Sequence, residues 1–397
     1  MVRPLQVVIV GAGIGGLSCA ALLLRRGHAV RVLEQAPALA EVGAGIQLSA
    51  NSTRVLRTLG VLPAVEAVSV TPIEYRFRLH SSGELLQTIP LGAVHAERHG
   101  APYCLAHRAD VHGILYAAAR TLRADVVSLD ARAVSITEDD SGAVVQCANG
   151  TRYRADLVIG ADGIHSMLRK RNLGDTPAHF TANVAWRCMV PAARLPPGFK
   201  DPVVEVWAGP RRHVVIYPIR GGAWINFVGI VEDPGWRNES WTMKSSWQDL
   251  YAEFADWHPG VRDIVAAVAK DQCYRWAMLD RPPAQGWSTG RTTLLGDAAH
   301  PTLPLLAQGA NMAIEDGQIL ARALTEADSV SDALQIYQQH RYQRTARVQT
   351  ESAANVTLFH NDSDDELRRM FAARKMDRER ASWLYNYDPL TADLHKP

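Results

Sequence analysis

The sequence predicts an α/β fold, α+β overall: a parallel-sheet domain interleaved with a mixed or antiparallel-sheet domain, followed by a helical C-terminus. Three observations carry this. Residues 5–10, LQVVIV, are a continuous apolar run of the kind buried on both faces of a parallel sheet; GAGIGG, an apolar helix closed by Gly27, and a second run, AVRVLE, follow it as a βαβ unit. Between about 180 and 230 come three or four longer strand-like segments, ANVAWRCMV, PVVEVWA, RRHVVIYPI and AWINFVGI, which read as a second, antiparallel sheet. The chain then returns to a buried strand at TTLLGD (292–297) and is mostly helix-like from about 309.

The remaining elements follow from pattern. HRADVHGILYAAARTL (107–122) is an amphipathic helix. From 124 to 159, short alternating segments split by DDSG and ANG predict a small antiparallel element leading into ADLVIGADG, and 245–270 is expected to be helical. The stretch NDSDDELRRMFAARKMDRERASWLYNYDP is charged and helix-like, a packing or dimer element or else a solvated face. The expected first domain is discontinuous, at 1–75, 100–178 and 275–325; the second sheet takes 76–99 and 179–274, and 326–397 is the helical C-terminal region.

Composition narrows the function. The 397 residues are 47% apolar and 21% charged, with 42 Lys plus Arg against 41 Asp plus Glu. A net charge of +1 gives no electrostatic case for nucleic acid or an anionic membrane as partner. The five cysteines are scattered and never form C-x-x-C, which argues for a reducing compartment and against a zinc site or redox disulfide; no metal site is expected. Apolar runs are strand-sized, and the first strand begins within a few residues of Met1, so neither a membrane span nor a signal peptide is expected and the location expected is cytoplasmic.

Gly11, Gly13 and Gly16 form G-x-G-x-x-G between the first strand and its helix, with Gly15 inside the motif. The first glycine permits a tight turn, the second lets a pyrophosphate approach the backbone, and the third lets helix and strand pack closely. The helix N-terminus offers free N–H groups and a positive dipole end to phosphate. Glu34, 18 residues beyond Gly16 (34 − 16), ends the second strand where a carboxylate meets an adenosine ribose, and Gln35 follows it. This is a Rossmann-like dinucleotide site; a glycine-rich turn that only packs a helix would not explain Glu34. The pattern does not separate NAD from FAD. Gly43-Ala44-Gly45 is a second cluster, but it lacks a third glycine and a following helix.

Taken in order, GAGIGG with Glu34, GADGIHSMLR (160–169) and GDAAHP (296–301) with GANMAIED (309–316) resemble the three fingerprints of the single-component, class A FAD-dependent aromatic hydroxylases. The resemblance runs over nearly the whole chain and is greatest to the branch with salicylate hydroxylase, 3-hydroxybenzoate 6-hydroxylase and 6-hydroxynicotinate 3-monooxygenase. It implies FAD as cofactor, NADH or NADPH as reductant and molecular oxygen as co-substrate. The implied reaction hydroxylates a hydroxylated aromatic or N-heteroaromatic acid through a flavin hydroperoxide, with decarboxylation left open. By the same resemblance Asp162-Gly163 contacts both FAD and NAD(P)H, Asp297 binds the ribityl chain, and Arg108 lies near the FAD phosphates. Gly45 joins the cofactor contacts, and Gly309, Ala310 and Asn311 open a helix toward the isoalloxazine. The low charge of the 294–316 loop suits a site that excludes water. The plain alternative for Asp297 is a turn cap.

A phenolic ring becomes more nucleophilic when its hydroxyl is deprotonated, so the site needs a base, an anchor and dry walls. In RRHVVIYPI, His213, Val215 and Tyr217 share one face of a strand. The resemblance makes His213 the base, because imidazole titrates near neutrality, and Tyr217 its partner or a carboxylate anchor. A structural strand histidine is the alternative. His300, in the flavin loop, is the rival base, with a loop-stabilising role equally open. Gln47 is a further polar pocket group or else a surface glutamine, and Pro301 walls the ring edge. Relatives often carry His or Gln where this chain has Pro304-Leu305, so Leu305 is expected to line the pocket and to change specificity. The expected partner is a small aromatic acid and the expected assembly a monomer or homodimer. A flavin oxidase or dehydrogenase of the same fold acting on a non-phenolic substrate is the competing enzyme class; a non-enzymatic flavin sensor would not need the second sheet.

Overall fold

Residues 3–39, 44–196, 199, 201–240 and 242–396 are described by the structure, a computed structural model. The apolar run at the N-terminus becomes strand Gln6–Val10, with Val7 to Val10 buried on both faces. It pairs in parallel with Ala29–Leu33 on one side and Leu157–Gly160 on the other. Thr292–Leu294 and Val127–Ser128 complete a five-stranded parallel sheet in the order 292–294, 157–160, 6–10, 29–33, 127–128. Helix Ile14–Arg25 packs against helices Arg108–Leu122 and Gly309–Glu326. The last approaches closely because Gly317 lacks a side chain: a Cβ there would lie 3.1 Å from the Cα of Cys19. The DDSG and ANG turns do separate antiparallel strands, at Ala133–Asp139, Gly142–Cys147 and Arg152–Ala155.

The second sheet is larger than the three or four strands the sequence suggests. It has seven, in the order 274–280, 179–191, 224–232, 212–219, 203–209, 74–79, 85–90. Strands 74–79 and 85–90 come from the segment near 76–99 expected to join this sheet, whereas 274–280 lies where the first domain was expected to resume. Val203–Gly209 runs parallel to Glu74–Leu79, so the sheet is mixed. Alternation then divides its two faces. Trp186, Ile216 and Phe227 pack outward beneath helices Trp247–Glu253 and Pro259–Ala267, two helices where one helical stretch was expected. Tyr75, Val204, Tyr217 and Trp276 pack inward against Leu303, Leu305 and Met312.

The C-terminal region begins with the 30-residue helix Val330–Phe359. The charged stretch after it folds into helix Asp364–Ala373, turn Met376–Glu379 and π-helix Arg380–Tyr385, with Leu367, Phe371, Met376 and Leu384 buried in the inner-face core. It is therefore a packing element of this chain. All five cysteines are buried free thiols; Cys188 and Cys273, far apart in sequence, share a thiol hydrogen bond. Among the described residues no helix is long and apolar enough to cross a membrane.

Candidate active site

The three glycine- and aspartate-bearing motifs follow the carboxyl ends of three adjacent parallel strands: Gly11 after 6–10, Ala161-Asp162 after 157–160, and Gly296-Asp297 after 292–294. The crevice at the carboxyl ends, where strand order reverses, is where open α/β sheets bind ligands. Gly11 adopts φ +105°, and a Cβ on it would collide with the Ala161 carbonyl oxygen; a Cβ on Gly16 would collide with the Gly11 carbonyl oxygen. A Cβ on Gly15 would press on Leu295 Cδ2 at 2.7 Å and Ala313 Cβ at 3.0 Å, so there the first and third motifs touch. Gly13 differs, because a Cβ there would meet no described atom within 4 Å. Its missing side chain leaves open space beside the helix N-terminus, as a pyrophosphate requires.

Glu34 is half-buried and accepts from the N–H groups of Ala12 at 3.0 Å and Ala36 at 2.9 Å. A carboxylate has about four acceptor sites, so capacity remains for a ribose hydroxyl. Gln35 is exposed in the bend that follows. Asp162 Oδ2 accepts from Met167 N–H at 2.8 Å, while Oδ1 is buried with no partner among the described residues. Burial pushes this carboxyl upward against the hydrogen bond from Ser166. Gly163, at φ +75°, stands in open space. Asp297 is exposed in the turn Gly296–Ala298, yet enclosed enough that burial raises its carboxyl; His300 and Arg108 pull it back. The charge of Arg108, from a distant part of the chain, thus acts on Asp297.

Gly309 and Ala310 are half-buried at the start of their helix, whose first-turn N–H groups have no intrahelical acceptors. The Asn311 side chain faces protein rather than the crevice. Its Oδ1 accepts from Ser49 N–H at 3.0 Å, and its Nδ2 donates to the carbonyls of Gln47 at 3.0 Å and Ala307 at 2.7 Å. Only its backbone is left for a ligand. The open space at Gly13, the unpartnered Asp162 oxygen, the exposed Asp297 and the helix N-terminus fit an extended flavin dinucleotide laid across the strand ends.

The facing wall is the inner face of the seven-stranded sheet. Register places Val215 opposite Val228 and Tyr217 opposite Asn226, with Asn226 opposite Met189 on the next strand. Val215, Val228 and Met189 are only half-buried, so packing stops short of closing this face. Gln47 is not a surface residue. It accepts from Tyr103 Oη at 2.8 Å and from Tyr75 Oη, and it also hydrogen-bonds Tyr217. Burial pushes the Tyr75 phenol up to about 12 and raises Tyr217 as well, so both stay protonated donors. Gly45 stands against the Tyr217 hydroxyl and donates its N–H to Asn226 Oδ1 at 2.7 Å; Gly43, its partner in the second glycine cluster, lies outside the described residues. Leu305, in the turn Pro304–Leu306, joins the same apolar cluster as Tyr217 and Trp276. Pro301 is buried, its carbonyl accepting from Gln349 Nε2 at 2.9 Å.

The two histidines have different surroundings. His300, 1% exposed, places Nε2 2.6 Å from Asp316 Oδ2 and packs against Trp287. Asp316 also accepts from Gly296 N–H at 2.9 Å and Arg341 Nε at 2.7 Å. His300 therefore sits in a buried network that fixes the Gly296–Asp297 turn. His213 is fully buried; its Nδ1 lies 2.7 Å from His360 Nε2 and its Nε2 has no partner among the described residues. Burial and the neighbouring His360 hold its imidazole well below the ordinary range.

Several functional positions escape a reading of the sequence. Arg169 donates to the carbonyls of Ala298 at 3.0 Å and Ala299 at 2.7 Å, tying the second motif to the third. Its place at the end of GADGIHSMLR was the available signal. Asp316 likewise closes GANMAIED. Tyr75, Tyr103, Asn226 and His360 carry no local signal, since each matters through a partner far along the chain.

Residues 4–352 match the FAD binding domain family. The chain is 38% identical over 391 residues to a 3-amino-4-hydroxybenzoate 2-monooxygenase of Streptomyces platensis, covering 97% of this chain and 96% of the relative. It is 35% identical to the 3-hydroxybenzoate 6-hydroxylase of Polaromonas naphthalenivorans, with 97% and 96% covered. It is 34% identical to the 6-hydroxynicotinate 3-monooxygenase of Pseudomonas fluorescens, with 99% and 97% covered. Among solved structures, Klebsiella pneumoniae HpxO complexed with FAD and uric acid superimposes with a TM-score of 0.83 at 26% identity, covering 96% of both chains.

Proposed function

The chain belongs to the FAD binding domain family and is a flavin-dependent aromatic monooxygenase that uses FAD, NAD(P)H and molecular oxygen; from that premise we propose that its substrate is a hydroxylated six-membered aromatic or N-heteroaromatic carboxylic acid held between the flavin loop and the inner face of the seven-stranded sheet. The observation that carries the proposal is the polar cluster of Tyr217, Gln47, Tyr75 and Tyr103 set into an otherwise apolar wall. Tyr75 and Tyr103 spend their O–H protons on Gln47 Oε1, which fixes the amide, so the Gln47 side-chain N–H groups and the Tyr217 hydroxyl are the polar groups that would orient a small ring bearing a carboxylate in an apolar slot. The names of the three relatives support the same class, each being an enzyme for a hydroxylated ring acid.

Bound FAD, reduced by NAD(P)H, supplies the activated oxygen. On this reading the Gly11–Gly16 backbone and helix N-terminus receive the pyrophosphate, with Arg108 beside it. Glu34 binds the adenosine ribose, Asp297 the ribityl chain, and Asp162-Gly163 the edge shared with the nicotinamide. The N–H groups at Gly309 to Asn311 face the ring. Tyr217 and Gln47 orient the acid, and Leu305, Val215 and Val228 exclude water. His213 takes the ring hydroxyl's proton through its unpartnered Nε2, while His300 positions the flavin turn through Asp316.

The test follows NADH consumption by the holoenzyme in air, with hydroxybenzoates, hydroxynicotinates and aminohydroxybenzoates added singly and product masses read from the same tubes. One acid is expected to stimulate consumption and to gain one oxygen; loss of carbon dioxide in that product would mark the reaction as decarboxylating. A yellow, NADH-oxidising protein indifferent to every acid would sink the proposed substrate class.

A further inference from the structure

We propose that His360 and Glu232 form a proton exit for His213, carrying the substrate's hydroxyl proton from the buried sheet face to the protein surface. The proposal rests on the reading of His213 as the group that takes that proton.

Three separate elements build the line. His213 lies on strand Arg212–Ile219, Glu232 ends strand Trp224–Glu232, and His360 caps the long helix Val330–Phe359. His213 Nδ1 is 2.7 Å from His360 Nε2, and His360 Nδ1 is 3.0 Å from Glu232 Oε1. Glu232 reaches solvent, with its side chain 35% exposed and its other oxygen 3.4 Å from the exposed Arg211 Nε. His360 itself is held by the backbone: its N–H donates to the Val356 carbonyl at 2.8 Å, and it bridges to Gly209 beside the sheet. At the inner end, His213 shares its face with Val215 and Tyr217, and its Nε2 is buried without a partner among the described residues.

His300 Nδ1 is likewise a buried ring nitrogen without a partner among the described residues; what sets His213 apart is that its other nitrogen leads through His360 to a carboxylate that reaches solvent. Two adjacent buried imidazoles also disfavour a resident positive charge: burial lowers both, and only Glu232 opposes this at His360. A base that cannot hold a proton can still pass one, because imidazole accepts on one nitrogen while releasing from the other. The substrate O–H bond breaks as a bond to His213 Nε2 forms. The proton on His213 Nδ1 moves to His360 Nε2, and that on His360 Nδ1 moves to Glu232 Oε1, which releases it to water. Both imidazoles end neutral with tautomers exchanged, and the substrate oxygen keeps the electron pair. Reprotonation of the product oxygen by the same route in reverse restores the starting tautomers.

The experiment mixes holoenzyme with 3-hydroxybenzoate, 6-hydroxynicotinate or 3-amino-4-hydroxybenzoate in weak buffer and follows proton release with an indicator dye in stopped flow. Wild-type protein is compared with His213→Ala, His360→Gln and Glu232→Gln, each checked for FAD content. His213→Ala, His360→Gln and Glu232→Gln are each expected to slow release by roughly tenfold or more, the scale of lost general acid–base function, with FAD retained. Added formate is expected to restore release in Glu232→Gln, which a merely structural glutamate would not show. Wild-type release rates in Glu232→Gln and His360→Gln, with slow release in His213→Ala, would overturn the exit route and leave His213 as base. Wild-type rates in all three would overturn both. Glu232→Gln, at the surface, decides the question if His360→Gln does not fold.

Discussion

At Gly13 one missing atom is expected to divide binding from folding. Its neighbours Gly11 and Gly16 are glycines because a Cβ would strike backbone carbonyls, so alanine at either position disturbs the sheet-to-helix turn itself. A Cβ on Gly13 meets only open space. Gly13→Ala should therefore fold with unchanged circular dichroism but purify without flavin; a normal ratio of flavin to protein absorbance would reject the cradle. Leu305 offers a second residue-scale test. It lies in the apolar cluster with Tyr217 and Trp276, and an imidazole there would replace an apolar side chain with a polar one. Leu305→His should change the ranking of acids that stimulate NADH consumption, and an unaltered ranking would remove Leu305 from the pocket. Of the candidate site residues, the backbone geometry of the glycines and the placement of Glu34 were legible because both are local. The partners of His213 and Gln47 were not: His360 lies 147 residues from His213, and Tyr75, Tyr103 and Asn311 lie 28, 56 and 264 residues from Gln47.

At the scale of elements, the helix Gly309–Glu326 carries a buried charge cluster that locks the Gly296–Ala298 turn to the C-terminal helix. Asp316 binds His300, Gly296 N–H and Arg341; Glu315 binds Arg341 and Arg344. Breaking such a pair from one side leaves a buried charge uncompensated, so Asp316→Ala should cost about 3–5 kcal/mol, read as a lowered midpoint in urea. Burial by itself would raise the Asp316 carboxyl, but His300 and Arg341 prevail and hold it at about 2. A depressed carboxyl stabilises the fold above its unfolded value, about 3.9, and that contribution is lost as pH falls from there toward 2. Acid unfolding followed by circular dichroism should steepen across this window in the wild type, and a variant whose pH dependence there matches the wild type would show that Asp316 is not the titrating group. The helix was predictable from its pattern; its cluster was not, since Arg341 and Arg344 look like ordinary exposed cations until the long helix packs against it.

For the whole molecule, FAD is expected to act as a structural bridge as well as a reagent. Its proposed contacts lie on three neighbouring strand ends, drawn from segments near residues 11, 162 and 297. A ligand that binds only the folded chain at a hundredfold excess over its Kd adds about 2.7 kcal/mol. Stripped protein should therefore unfold at a lower temperature than reconstituted protein, and Gly13→Ala should show no such rise when FAD is added. A melting temperature indifferent to FAD in the wild type would contradict a site that spans the sheet. The sequence by itself determined the parallel sheet, the cradle and the order of the three motifs, because glycine conformations and apolar periodicity are properties of neighbouring residues. Tertiary structure alone decided that His300 pairs with Asp316, that Gln47 gathers three tyrosines, and that His213 meets His360. Those partnerships depend on where distant backbones come to rest, and side-chain hydrogen bonds act only over about 3 Å.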